Sequence, residues 1–343
     1  VKNLYINLVT LLISIFGFYS CTSDSIIEDS DTSTPVPALF YLDNQTKQSD
    51  KKQVSSKATS SHSSNESIII TSEEEEWEPK RISQTKTSWT NSSNTVNWSS
   101  GDQIGIFMQQ TSGVAIPGVD RNNVQYNIQT ANSPSSTLTA NSSPIYFPSQ
   151  TNPMMRFFAY YPYTASNNSL LINYSLPENQ STPQQLSAAD LMNATSSATN
   201  GSNPNIALAF NHQMVLLSFK INTSLFLLSG TLTKVTISGT NITNTGILDL
   251  TTSTLTPNTS STFSPYVVTN QFINSSSSSA YVDIIINPCT INNNSSSNQL
   301  KVTLDFKGLL SHSTNLDITS GSSSKTFVGG TRYIYNLSVL LSL

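Results

Sequence analysis

Charge is scarce in this chain. Lys and Arg number 16 and Asp and Glu 20, so charged side chains make up only 10% of 343 residues. No basic stripe is available to neutralise a phosphate backbone, which argues against nucleic acid as a partner. Cysteine is scarcer still. Cys21 and Cys289 are the only two, too few for the disulfide framework on which some exported folds depend. His62, His212 and His312 are the only histidines, and none has a ligand neighbour at metal-site spacing. The sequence also lacks a Gly-x-Ser-x-Gly elbow, a phosphate loop and a dinucleotide fingerprint. No metal, cofactor or catalytic residue is expected, and the chain does not read as an enzyme.

Long apolar runs are equally rare. The most extended, Leu4 to Tyr19, carries Asn7 and falls short of the roughly 20 residues that span a bilayer. It follows Lys2 and ends at Ser20-Cys21, the layout of a lipoprotein signal peptide. Residues 1–20 are therefore expected to be a leader, cleaved before Cys21. Acylation of the Cys21 thiol, with palmitate among the chains, would then hold the rest at a membrane surface.

What the chain has instead is Ser, Thr and Asn, together nearly two-fifths of it. These side chains compete with helical hydrogen bonding and favour turns and strands. Residues 21–81 are polar and mostly aperiodic, with a serine-dominated stretch from Ser55 to Ser67 and four successive acids, Glu73 to Glu76. Such a segment buries too little apolar area to offset its ordering entropy, so it is expected to be a disordered tether. Ala38 to Leu42 and Ile68 to Ile70 are two apolar islands within it.

From Ile82 onward the pattern is that of strands: short runs of β-branched and aromatic residues divided by Asn, Ser, Gly and Pro. Gln103 to Phe107, Arg156 to Tyr161, Leu216 to Ile221, Leu232 to Ser238, Tyr281 to Ile286 and Leu300 to Phe306 are examples. Gln184 to Met192 is the best candidate for a helix. The expected fold is all-β, with two tandem β-sandwiches over 82–223 and 224–343. The last segment alternates: Tyr333, Tyr335, Leu337, Val339, Leu341 and Leu343 share one face. It reads either as a strand donated to a neighbouring molecule or as the last core strand of its own domain. Cys289 is expected to be a packed thiol, His212 a structural histidine at a strand corner, and Trp98 and Tyr160-Tyr161 core residues.

Five spaced segments resemble the fimbrillin family, lipoprotein-derived subunits of type V pili. They are Trp98-x-x-Gly101-Asp102 with its following strand to Phe107, Phe157-Phe-Ala-Tyr-Tyr-Pro-Tyr163, Ala189-Asp-Leu-Met192, Leu208-Ala-Phe-Asn-His212, and Gly330-Thr-Arg-Tyr-Ile-Tyr-Asn-Leu337. The resemblance implies transthyretin-like sandwiches, delivery to the outer membrane and surface exposure in a fimbrium. It also implies proteolytic release of an N-terminal strand and head-to-tail polymerisation with other pilus subunits by strand exchange, toward a host or bacterial surface ligand. Thr85-Lys86-Thr87 stands where the family often has Thr-Arg-Thr, which leaves Arg81 as the nearest site for an arginine-specific cut. A monomeric glycan-binding lipoprotein is the competing reading. It would need exposed aromatics, and Trp77 and Trp89 are its candidates.

Overall fold

The computed structural model describes residues 35–42, 68–76, 98–113, 121–130, 136–148, 153–223, 229–258, 263–274, 278–292, 300–307, 312–315 and 324–339. The early strands are β1 (Leu39–Leu42), β2 (Ile68–Glu76), β3 (Gln103–Gln110), β4 (Arg121–Ile128), β5 (Leu138–Ala140), β6 (Met155–Tyr161) and β7 (Leu171–Ser175). A single described helix, α1 (Pro183–Ala189), precedes β8 (Met192–Thr195), β9 (Asn205–Leu208), β10 (Asn211–His212), β11 (Val215–Thr223) and β12 (Ser229–Ser238). Next come β13 (Thr245–Asp249), β14 (Thr254–Pro257), β15 (Tyr266–Asn274), β16 (Ala280–Ile286) and β17 (Cys289–Asn292). β18 (Lys301–Phe306), β19 (His312–Asn315), β20 (Ser324–Phe327) and β21 (Thr331–Val339) are the last described strands. The fold is all-β, as its composition leads one to expect.

Two apolar cores organise it. The first is lined by the sheet β10-β8-β6-β3-β4-β5 and by the pair β1-β9. Ile104, Ile106, Met108, Tyr126, Phe157 and Ala159 are among its buried residues. The second lies between the sheet β16-β11-β21-β2 and the sheet β15-β12-β18-β19, with alternate residues of β11, β16 and β21 meeting those of β12 and β18. β11 ends at Thr223 yet pairs with β16 and β21, and β7 pairs with β13. The second core thus draws on strands that precede the expected division at 223/224.

β6 explains its own sequence. A strand with one face in water alternates apolar and polar, but Phe157 to Tyr161 is apolar and aromatic throughout. Phe157, Ala159 and Tyr161 point into the first core, while Phe158 and Tyr160 join the second. Both faces of this strand are buried. Its neighbour β3 must leave room for it: a Cβ on Gly105 would lie 2.2 Å from Tyr160 Cε1.

α1 is shorter than the expected Gln184–Met192. Thr182 caps it: its hydroxyl accepts from the Gln185 backbone N–H, the Gln185 side chain accepts from the Thr182 N–H, and Pro183 opens the first turn. Asp190 closes it, and Met192 already begins β8, paired with Tyr161 of β6.

The largest correction concerns the tether. β1 and β2 both lie within 21–81, so that segment is not wholly disordered. Buried Ala38, Phe40 and Leu42 alternate with exposed Leu39 and Tyr41, which gives these five residues one buried apolar face. That face suffices to seat a strand when a groove is present to receive it. Apart from 35–42 and 68–76, residues 1–81 lie outside the described residues, including Cys21 and Arg81.

Candidate functional site

Three places bring sequence-marked residues together: the seat of β1, the surroundings of β21, and a buried polar junction between α1 and β10.

β1 lies between two neighbours. On one side it runs parallel to β9, with Phe40 opposite Ile206 and Leu42 opposite Leu208. On the other, isolated bridges join Pro37 to Tyr146 and Tyr41 to Thr137, both antiparallel. Backbone bonds follow on both sides. Leu39 N donates to Pro204 O at 2.8 Å, Ala38 N to Ile145 O at 2.9 Å, and Leu42 N to Ser136 O at 3.2 Å. Phe40 is the anchor, 2% exposed. Its ring meets Tyr126 edge-on at 5.0 Å and Phe157 at 5.1 Å, the preferred geometry for aromatic pairs. Ala38 and Leu42 flank it, also buried, whereas Leu39 is 51% exposed. The seat is therefore a groove with hydrogen-bonding backbone on both rims and aromatic walls, filled by a strand that enters from upstream. Burial pushes the Tyr126 phenol up to about 12, partly offset by the hydrogen bond that its oxygen accepts from Ile145 N.

The sequence pointed to Tyr333, Tyr335, Leu337, Val339, Leu341 and Leu343 as either donor or core. The structure builds the core strand: Tyr333, Tyr335, Leu337 and Val339 are all buried in the second core of their own chain. β21 runs parallel to β11 on one side, Phe219 opposite Tyr335, and antiparallel to β2 on the other. Tyr335 stacks on Phe219 at 5.6 Å. Beside them Arg332 Nε donates to Ser218 Oγ at 2.8 Å, and Ser218 donates to Asp283 Oδ1 at 2.6 Å. Leu341 and Leu343 lie outside the described residues, as do Trp77 and Trp89 of the competing reading.

The polar junction holds His212. Its Nδ1 lies 2.7 Å from Asp190 Oδ1, and both side chains are buried. The pair ties the end of α1 to β10, and Gln213 N donates to Leu191 O alongside at 2.9 Å. Tyr161 OH bonds to Ser187 of α1 and reaches Asp102 Oδ1 at 3.5 Å. Desolvation raises the Asp102 carboxyl above its usual range, and burial raises the Tyr161 phenol, helped by the negative charge of Asp102. Asp102 also accepts from Ser99 N at 2.8 Å and so closes the turn through Gly101, whose φ of +90° suits glycine. Trp98 packs edge-on against Tyr161 and Phe210, each ring centre 5.2 Å away. These residues hold the fold together, as expected for Trp98 and His212. Cys289 sits in β17, and burial pushes its thiol up to about 12, so it is a poor nucleophile. Among the described residues, no three of His, Cys, Asp and Glu come together as metal ligands.

The functional candidate is thus the β1 groove. The alternation Ala38-x-Phe40-x-Leu42 was its sequence signal, obscured by the polar composition around it. Comparison with known proteins bears on what such a groove is for. The model of the fimbrillin-like family matches residues 85–341. A Bacteroides uniformis protein named as fimbrium subunit Fim1C is 26% identical over 253 residues, covering 71% of this chain and 74% of that protein. The crystal structure of a B. uniformis protein described as a cell adhesion protein superposes with a TM-score of 0.54 at 22% identity. That match covers 71% of this chain and 91% of the other, and speaks to the fold.

Proposed function

The chain belongs to the fimbrillin-like family, and from that premise we propose that it is a structural or tip subunit of an adhesive pilus assembled by strand exchange. It is carried to the outer membrane as a lipoprotein, anchored through Cys21, and displayed in a surface fimbrium. It works by binding other subunits head to tail, without catalysis or a cofactor. Residues 82–223 and 224–343 correspond to its two sandwich domains, with β7 and β11 of the first also serving the second.

One observation carries the reading: β1 is upstream of Arg81 in sequence but deep in the first core in space. A cut after Arg81 would sever β1 from everything that follows. Its departure would leave a slot with unpaired backbone on both rims and an aromatic cavity where Phe40 sat. Unsatisfied backbone and exposed apolar walls make such a slot a template for an extended strand from another subunit. Because giver and receiver surfaces differ, the contact is heterologous and propagates as a filament. The strand Tyr333–Leu343 is the costlier one to give away. Freeing it would strip Tyr333, Tyr335, Leu337 and Val339 from the second core.

The test is digestion of the purified chain with an arginine-specific protease, followed by N-terminal sequencing and negative-stain electron microscopy. The expected result is a new terminus at Ile82 and filaments, with Arg81→Ala blocking both. A chain that loses residues 1–81 and stays monomeric would overturn the reading.

A further inference from the structure

Among the described residues, β16 has a neighbouring strand, β11, on one side only, yet its other edge is not bare. In a strand, the N–H and C=O of one residue point to the same side, and those of the next residue to the other. Tyr281 and Ile285 therefore address the same edge. At Ile285 the partner is the side chain of Gln180: Nε2 donates to Ile285 O at 2.9 Å, and Oε1 accepts from Ile285 N at 2.7 Å. At Tyr281 it is Gln271, whose Nε2 donates to Tyr281 O at 3.0 Å and whose Oε1 accepts from Tyr281 N at 2.9 Å. A glutamine amide offers the donor and acceptor of a peptide group. Two of them take the positions of a missing strand.

The segment around Gln180 is built to hold it there. Gln180 is 0% exposed, and its amide also donates to Pro177 O at 3.2 Å. Its backbone lies against β15, the outer strand of the facing sheet. Gln180 N donates to Tyr266 O and Tyr266 N to Glu178 O, both at 2.9 Å, and Val268 N donates to Ser181 Oγ at 2.7 Å. Residues 178–181 thus close both sheet edges at this seam, β15 mainly by backbone and β16 by a side chain. A buried Gln gives up more rotamer freedom than a Leu would, so apolar filling alone does not account for it.

The strand so covered explains the need. Tyr281-Val-Asp-Ile-Ile-Ile286 carries four β-branched residues, one charge and no Pro or Gly, the composition of segments that pair with their own copies. An uncapped edge of that kind is a template for another chain. Antiparallel pairing of one β16 with another about a two-fold axis would be self-complementary.

We propose that Gln180 and Gln271 guard this edge: their amides satisfy β16 in place of a neighbouring strand and so keep two copies of the chain from pairing β16 to β16. The role is separate from whatever the β1 groove receives.

Full-length chains carrying Gln180→Ala, Gln271→Ala or both test this. Hydrogen exchange, read by mass spectrometry with fragmentation to single residues, should show the Ile285 amide at least tenfold faster in dilute Gln180→Ala. The Tyr281 amide should be at least tenfold faster in dilute Gln271→Ala. On concentration the double variant should sediment as a dimer and both amides should regain protection, while the parent changes in neither respect. Protection that returns with concentration is a reading that lost packing alone would not give. Should Gln180→Ala fail to fold, Gln271→Ala, at a half-buried position, decides by the same two readings at Tyr281. Amides as slow in the variants as in the parent overturn the capping. A double variant that stays monomeric with both amides exposed, or a dimer in which they remain exposed, overturns the guard role. All these chains keep β1 in place, so neither result bears on the pilus reading.

Discussion

Replacing Phe40 by Ala asks whether β1 is part of the folded subunit or an appendage of it. Phe40 is 2% exposed and sits between two aromatic rings. Truncating a buried Phe to Ala typically costs about 3–5 kcal/mol, the lost transfer energy plus the cavity left behind. For a chain of this size, a loss of 1 kcal/mol lowers the melting midpoint by roughly 2–4 °C. The uncut Phe40→Ala chain should therefore melt roughly 6–20 °C below the parent. Its neighbour supplies the contrast. Leu39 is 51% exposed, and surface substitutions usually stay within about 0.5 kcal/mol, so Leu39→Ala should move the midpoint by no more than about 2 °C. Differential scanning calorimetry on uncut chains reads both. Equal midpoints for the parent and Phe40→Ala would mean that Phe40 is solvated and that β1 does not fill a groove.

Two further outcomes follow from the cores. Because burial holds the Cys289 thiol up at about 12 against an ordinary 9.0, the unfolded chain loses this proton first. Cys289 therefore contributes stability that is full below pH 9 and is lost as pH rises toward 12. Cys289→Ser should flatten that decline in urea midpoints, and in a Cys21→Ser chain iodoacetamide at pH 8 should label Cys289 at least tenfold more slowly folded than unfolded. Gly105→Ala should cost about 1–3 kcal/mol by overpacking, since the new methyl meets the fully buried Tyr160 ring. An unchanged urea midpoint would contradict that packing.

How much was legible in the sequence depended on the range of the interaction. Local signals held: the Trp98-to-Asp102 turn, the aromatic run at β6, the short helix near Gln184 and the alternation of the closing strand all appear where residues a few positions apart dictate them. Partnerships over long separations were invisible. Nothing near Leu171 announces that β7 pairs with β13, and nothing near Asp190 announces His212 as its partner. β1 and β2 were hidden for another reason. Averaged over residues 21–81, serine and acid dominate, and a disordered segment is the sound reading of that average. A strand needs only two or three apolar side chains on one face if the rest of the molecule supplies the wall. Ala38, Phe40 and Leu42 meet that requirement, but the wall that receives them is built from residues about 60–170 positions downstream.

The burial of β6 on both faces has a mechanical consequence. A strand shared by two cores leaves no loose joint at which one sandwich could swing against the other, because any shear there must unpack Phe157 and Tyr160 together. Tension arriving at one core passes to the other through a continuous covalent strand flanked by β3 and β8, not through a hinge. Subunits strung in series would then behave as rigid rods. Bending and recoil would be confined to the junctions between them.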